Sequence, residues 1–385
     1  MTNCNNRQKG IAVRLFSDSG ELPDDWNMLV PQGHFLQSHQ LKVAEQSSLP
    51  DISFSYALVY DSDVPVLAAG FQLLSLNSKH VNHNMVEPWK YVAWQLYTGI
   101  VRPKLLVSGH LFRHDVDSVF CAGGISGYDI YTYYKAAIDA AMRKSCATAV
   151  LIKDMPARLD KYFNNYEPGY MMLRNDISME MDVSPKWQTM EDYVHALKHK
   201  YAQRYRKISD RWQELHIKEL TIAEVVAHKE TLFVLYRQVS DNQRVRIGLL
   251  SADFIPMLQQ QDNRLKVWGI YEHDKLIGFF SAWVYEDRFD MFYIGFDYEK
   301  NKEYNLYFNI LFFAIEQVIY YRKPKLILGR TALDAKARLG CKPRYLSTFL
   351  YIKNGIVRNR IMQAQKSTTA NEGAWENKHP FRKSN

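Results

Sequence analysis

The chain has 385 residues, of which 47% are hydrophobic and 23% charged; this excludes a wholly disordered protein and leaves room for two domains. Its four cysteines, Cys4, Cys121, Cys146 and Cys341, stand far apart with no Cys-x-x-Cys or His pairing, which argues against a zinc site or a disulfide framework and for reduced, cytosolic thiols. The net charge of +8 and a pI near 9.0 favour an anionic partner, without choosing among coenzyme, nucleic acid and lipid headgroup.

No apolar core follows the charges of the first nine residues, so no secretory signal is expected. The most apolar helical run, from Tyr304, carries Asn305, Asn309, Glu316 and Gln317. It is therefore expected not to span a membrane, and the expected location is cytoplasmic, with peripheral membrane contact left open.

In chain order, Ser53–Tyr60, the acidic turn Asp61-Ser62-Asp63 and Pro65–Leu76 predict a hairpin. An insertion, Asn77–Pro103, comes next with His80, His83, Trp89 and Trp94; it reads as a packed surface loop, or as a lid or docking surface. Lys104–Ser108 is a further apolar run. Gly123-Gly124-Ile125-Ser126-Gly127 then stands at the entrance of a helix marked by Ile130, Tyr134, Ala137 and Ala141, and Ala149–Ile152 reads as the strand after it. Gly123, Gly124 and Gly127 have two readings: a cradle for an anion at a helix N-terminus, or a tight loop that needs glycine torsions.

Val183-Ser184-Pro185 reads as the joint between two halves. The predicted helix 193–212 beyond it carries two stripes at about 100° per residue: Lys200, Arg204, Lys207 and Arg211 on one, Tyr201, Tyr205, Ile208 and Trp212 on the next. The basic stripe is either a solvated face or a phosphate-binding ridge. Val225–Val239 is amphipathic, and Asp253 sits in the first turn of another helix. Val267–Tyr271, Leu276–Tyr285 and Phe289–Phe296, separated by hairpin-length polar links, predict a three-stranded meander. A long apolar helix from Tyr304 to Ile319, a strand Lys325–Leu328 running into Gly329-Arg330-Thr331, and a last strand Arg344–Ile352 complete a β-β-β-α-β-α-β order. The first half repeats this order weakly. Beyond Asn354 periodicity is lost, and 355–385 is expected to be a flexible tail.

Gly295-Phe296-Asp297-Tyr298-Glu299, the helix from Tyr304, and Gly329-Arg330-Thr331 leading into Lys336-Ala337-Arg338-Leu339-Gly340 resemble the acyl-CoA N-acyltransferase (GNAT) superfamily, and within it the double-domain branch related to Fem-type peptidoglycan aminoacyltransferases. The resemblance implies an α/β (α+β) fold of two tandem GNAT-like domains, 1–183 and 184–354, each a mixed, mainly antiparallel sheet flanked by helices. It implies a bacterial enzyme that moves an acyl group from acyl-CoA or acetyl-CoA to an amine acceptor. Two alternatives stay open: a Fem-type transferase that uses aminoacyl-tRNA on a cell-wall precursor, which the basic helix suits although no coiled-coil arm is seen, and a non-catalytic binding protein of the same fold. Oligomeric state is not readable. The turn where such enzymes hold the coenzyme pyrophosphate, Asn301–Leu306, has no glycine, so that contact would rest on Lys300, Lys302 and backbone groups.

Amine acyl transfer needs a group to take a proton from the attacking nitrogen and one to serve the leaving group. Asp297 and Glu299, just past a strand end, are candidate bases, and Tyr304 is a candidate proton donor. Arg330, directly after a buried strand, wants an anionic partner, either substrate or an internal carboxylate. Lys336, six positions on, is expected at the rim of the same cleft. No metal is expected.

Overall fold

The computed structural model describes residues 10–47, 51–113, 116–173, 176–243, 246, 249–368 and 378–382. The elements begin with β1 (Ile11–Phe16), α1 (Asp24–Leu29), α2 (Ser38–Gln46), β2 (Ile52–Asp61), β3 (Val64–Ser75), α3 (Pro88–Val101), β4 (Lys104–Ser108), β5 (Val119–Cys121), α4 (Gly127–Ser145), β6 (Ala149–Ile152), α5 (Ala157–Tyr166), β7 (Tyr170–Leu173) and β8 (Ile177–Asp182). They continue with α6 (Met190–Ala196), α7 (His199–Ser209), β9 (His216–Glu219), α8 (Ile222–Ala227), α9 (Lys229–Ser240), α10 (Phe254–Gln261), β10 (Leu265–Glu272), β11 (Lys275–Val284) and β12 (Phe289–Phe296). The chain closes with α11 (Tyr298–Tyr304), α12 (Leu306–Tyr320), β13 (Lys325–Gly329), α13 (Leu333–Ala337), β14 (Lys342–Tyr345), β15 (Thr348–Ile352) and α14 (Gly355–Thr368).

Two compact units form: unit 1 from Met1–Asp176, Arg244–Phe254 and Leu346–Ser367, unit 2 from Ile177–Gln243, Ile255–Tyr345 and Thr368–Asn385. The sheet of unit 1 runs β1-β2-β3-β4-β6-β15-β7, with β5 also on β3. Its hairpin closes where Ser62 and Asp63 both take positive φ, at 51° and 65°, the paired left-handed torsions of a tight two-residue turn. The sheet of unit 2 runs β14-β8-β13-β12-β11-β10-β9. Each sheet is antiparallel except for one parallel pair, β4 with β6 and β12 with β13, and helices flank both. The expected class, two mixed and mainly antiparallel α/β layers in tandem, is the architecture observed.

The expected boundary near Val183 moves. β8 lies between β13 and β14 in unit 2 and buries Ile177, Met179 and Met181 in that core. The predicted last strand, Arg344–Ile352, is two strands in two sheets: β14 pairs β8, whereas β15 fills the slot between β6 and β7 of unit 1 and buries Phe349 there. Each unit thus takes one inner strand from the far half of the sequence. The period-2 pattern says that these strands need two neighbours, but not whose.

Three further expectations change. The helix expected over Tyr304–Ile319 is observed as α12 but starts at Leu306, because Asn305 takes φ +51° and leaves Tyr304 at the end of α11. The linking helix is α6, α7 and a 3-10 turn, Asp210–Glu214, broken at Leu197–Lys198. The region beyond Asn354 opens with α14, and residues 378–382 lie on unit 2: Lys198 N donates to Pro380 O (2.8 Å), Arg382 N to Ala196 O (3.0 Å), and the Phe381 ring stands 5.5 Å from that of Trp187 and 6.0 Å from that of Tyr193. A Cβ on Gly340 would collide with Phe381, so the glycine, at φ +104°, leaves the space that the ring fills. The rest of the expected tail, 369–377 and 383–385, lies outside the described residues. Sequence periodicity misses this contact because one anchoring ring has no period.

Phe381→Ala is expected to lower unfolding free energy by about 1–3 kcal/mol, the cost of emptying a partly buried aromatic site; urea denaturation checks it, and an unchanged midpoint would return residues 378–382 to a passive tail.

Candidate functional site

The meander of unit 2 contains the feature that organises a site. Phe280 pairs Ile294 and Ala282 pairs Met291, so Phe292 and Tyr293 together oppose Ser281. This is a β-bulge, which bends the bulged strand and raises its twist. The fully buried Ser281 hydroxyl replaces the missing ladder bonds: it accepts from Tyr293 N (3.0 Å) and donates to Tyr293 O (2.7 Å). Immediately before the bulge, β12 and β13 share two register pairs, Phe289↔Leu326 and Asp290↔Ile327. Beyond it β12 follows β11 as far as Phe296↔Gly278, while β13 follows β8 to Gly329↔Met179. The parallel strands part, and a wedge opens between their C-terminal halves.

Two helices cover β12 near the wedge. α9 lies on Gly295, where an added Cβ would meet Tyr236 N and would come within 2.6 Å of Leu235 C. Strand backbone and helix backbone meet there without a side chain between them, a contact only glycine permits. A cavity of about 430 Å³ lined by Phe233, Val234, Arg237, Gln238, Asp241, Asn242 and Tyr298 runs between α9 and α11, past the end of β12. α12 supplies Tyr307 in its first turn, with its ring 6.3 Å from that of Phe296 at the tip of β12. The backbone N–H of Tyr307 donates to Asn301 Oδ1 (2.9 Å). Its hydroxyl is buried without a hydrogen-bond partner among the described residues. Burial, with the nearby Cys341 and Tyr298 adding to it, pushes the phenol up to about 12, so at neutral pH it is a protonated donor with no acceptor among the described residues. A buried unpaired hydroxyl costs free energy, and such groups gather where a ligand completes them.

Most residues singled out from the sequence are engaged otherwise. Asp297 is the N-cap of α11 and accepts from Glu299 N and Lys300 N. Glu299 is exposed. Tyr304 donates to Glu272 Oε1 (2.8 Å), which also holds Lys300 Nζ (2.6 Å); the Glu272 carboxyl is held below its ordinary range by Lys300 first and Tyr304 second. Arg211 leaves the basic stripe for Glu214 (2.8 Å) and Glu303 (3.1 Å), its guanidinium over the Tyr304 ring. Lys200, Arg204 and Lys207 do face solvent along α7, Arg204 over the Phe308 ring. Arg330 follows β13 as expected and is half-buried. Lys336, expected at a rim, is instead buried: Nζ donates to the carbonyls of Leu328 (2.6 Å) and Gly329 (3.2 Å), closing the end of β13. Desolvation brings its ammonium down to about 8.

In unit 1, Phe71 pairs Ser108 and Ala69 pairs Val119, so the ladder on β3 stops after Ser108 and resumes at Val119, at the corresponding point of the strand order. Lys153, just past β6, donates from Nζ to His110 O (2.6 Å) and Arg113 O (3.0 Å). A Cβ on Gly109 would lie 2.7 Å from that of Lys153. Here the space past the parallel pair is filled by the chain itself. Of the glycines ahead of α4, Gly124 takes φ +79°, and Gly127 lets Tyr162 approach, its Oη 2.9 Å from where a Cβ would stand. Ser126 caps the helix and binds Asp129, whose charge already sits at that terminus. These glycines make a turn and a close contact; an anion there would meet a carboxylate.

No protein-family model matches the chain, and no curated protein does. Solved structures it is similar to include a tandem GNAT protein from the clavulanic acid biosynthesis pathway, at 10% identity over 89% of this chain and 99% of that one with a TM-score of 0.49. FemX matches at 8% identity over 80% and 90%, with a TM-score of 0.45. L-PGS from Bacillus licheniformis matches at 10% over 82% and 88%, with a TM-score of 0.45. GNAT and Fem structures are thus what the chain is similar to, as its sequence resemblance implies, and at this identity no residue's role is carried over from them. Among the described residues no helix is long and apolar enough to cross a membrane.

Two outcomes are expected. Ser281→Ala strands the N–H and C=O of Tyr293 and should cost about 1–3 kcal/mol in chemical denaturation, whereas Ser281→Thr, which keeps the hydroxyl, should recover part of it. Lys336 titrates near 8 when folded and near 10.4 in an unfolded chain. Between those values the unfolded state binds the proton that the folded state has lost, so this lysine makes stability rise with pH from about 8 towards 10. The melting-temperature difference between wild type and Lys336→Met should widen in the wild type's favour across that window; a constant difference would exclude the titration.

Proposed function

We propose that the protein is an N-acyltransferase that moves an acyl group from acyl-CoA to an amine, with the chemistry in unit 2 alone. The observation that carries this reading is the wedge between β12 and β13 with the unpartnered Tyr307 hydroxyl beside it. Parted strands offer free backbone edges to the amide-bearing arm of a donor, in the manner of an added strand. A protonated phenol in a dry site stabilises charge as it develops on the thioester oxygen or the departing sulfur. The amine enters along the groove between α9 and α11, its nitrogen bonds to the carbonyl carbon, and the C–S bond breaks. With Asp297 committed to capping, Glu299 is assigned to take the amine's proton; the thiolate leaves with CoA. Unit 1, whose corresponding space holds its own chain, serves as support.

A second donor, aminoacyl-tRNA, is favoured by one feature, the exposed Lys200-Arg204-Lys207 stripe. A thermal-shift panel of acetyl-CoA, longer acyl-CoA, CoA and tRNA separates the donors, because a ligand raises the melting temperature with the logarithm of its excess over Kd. Stabilisation by tRNA that Arg204→Glu with Lys207→Glu abolishes would move the donor to tRNA. For the chemistry, Tyr307→Phe should lower kcat by about 10²–10³-fold, the cost of one preorganised donor. Its melting temperature should not fall, since the hydroxyl removed had no partner. An unchanged kcat would remove Tyr307 from the reaction.

A further inference from the structure

The inserted segment of unit 1 ends in a helix built inside out. α3 spans 14 residues, and at about 100° per residue Trp89, Val92, Ala93, Leu96 and Ile100 share one arc of about 100°, with Tyr97 and Val101 on its flank. That arc faces solvent: Ile100 is 81% exposed, Trp89 66%, Leu96 60% and Val92 52%. The opposite side holds the helix down, through Trp94 Nε1 donating to Asn77 O (3.1 Å), Tyr91 against His83, and the buried Thr98. An amphipathic helix ordinarily buries its apolar arc, so an arc turned outward on a surface helix marks a contact with something else. The charge around it selects what. From Asn77 to Pro103 there are three basic residues, Lys79, Lys90 and Arg102, against one acid, Glu87, which pairs with Lys90 (3.2 Å), in a chain of net charge +8. The same charge argues against a second copy, which would set Lys79 and Arg102 of one chain near their own counterparts on a symmetric face. A bilayer surface needs no complementary shape, and it accepts an apolar arc with flanking cations and a tryptophan.

We infer that α3 lies in the surface of an anionic bilayer, with Trp89, Leu96 and Ile100 among the acyl chains and Lys79, Lys90 and Arg102 among the headgroups. This holds whatever reaction unit 2 performs. Flotation of the full chain tests it, with pure phosphatidylcholine vesicles set against vesicles in which about a third of the lipid is phosphatidylglycerol. The wild type should float with the anionic vesicles, and less so as salt rises. Leu96→Glu with Ile100→Glu should cut the bound fraction at least about tenfold. Both side chains are exposed, so circular dichroism should be unchanged. As an independent readout, anionic vesicles should shift wild-type tryptophan fluorescence to the blue, and Trp89→Phe should remove most of that shift. Failure of the wild type to float, or equal flotation of the double variant, would overturn the inference. So would a wild-type dimer that the double variant turns into a monomer without lipid, which would give the face to a second copy of the chain.

Discussion

Unit 2 depends on where two parallel strands stop pairing. β12 and β13 hold register for two residues and are then driven apart by one surplus residue, Phe292 or Tyr293, opposite Ser281. The bulge is sustained by a hydroxyl that serves both the donor and the acceptor of Tyr293 from inside the core. Without that compensation, a bulged central strand would carry two unpaired buried backbone groups. Three neighbouring elements of unit 2 are arranged around the parting: α9 laid on Gly295, α12 restarted at Asn305 so that Tyr307 falls in a first turn, and Lys336 folded back to close the carbonyls at the end of β13. Unit 1 meets the same strand order with a different solution, a break in the ladder after Ser108 where Lys153 pins the carbonyls of His110 and Arg113.

The exchange of strands between sequence halves constrains the chain as a whole. β8 is an inner strand of unit 2 and β15 an inner strand of unit 1. The sheet of unit 2 draws all its strands from 177–345, whereas the sheet of unit 1 is completed only when β15 returns from beyond them, so the first half of the chain does not contain the whole of its own sheet. Pairing across such distances is costly in loop entropy before it is repaid by burial. The long-range strands are accordingly short and carry buried apolar residues, Met179 and Met181 in one and Phe349 in the other.

The polar residues divide by a simple rule. Those that stood out by type and position, Asp297, Tyr304, Arg211 and Lys336, are satisfied by the protein itself, as an N-cap, a carboxylate clamp, two ion pairs and a carbonyl cap. Tyr307, which stood out least within an apolar helix, keeps a buried hydroxyl with no partner among the described residues. A tyrosine in such a run reads as core, and it stands three positions beyond Tyr304, the tyrosine chosen as proton donor. Asn305, able to take the left-handed conformation, is the one local signal that a helix restarts there.

Local physics made the elements legible. Alternating and β-branched runs marked the meander β10–β12 and the hairpin β2–β3, and a 3.6-residue apolar period marked α4, because backbone pairing and burial impose those periods on any chain. The two-layer α/β class came from their order. Only the tertiary structure decided which sheet receives β8 and β15, that the 378–382 segment is anchored by Phe381, that Lys336 is buried, that β12 bulges and parts from β13, and that α3 turns its apolar arc outward. Each of these is a choice of partner between residues far apart in sequence. Periodicity reports that a side chain or a backbone edge needs a neighbour; it contains no information about which neighbour, and that is settled by which packing pairs the buried backbone groups and fills the core together.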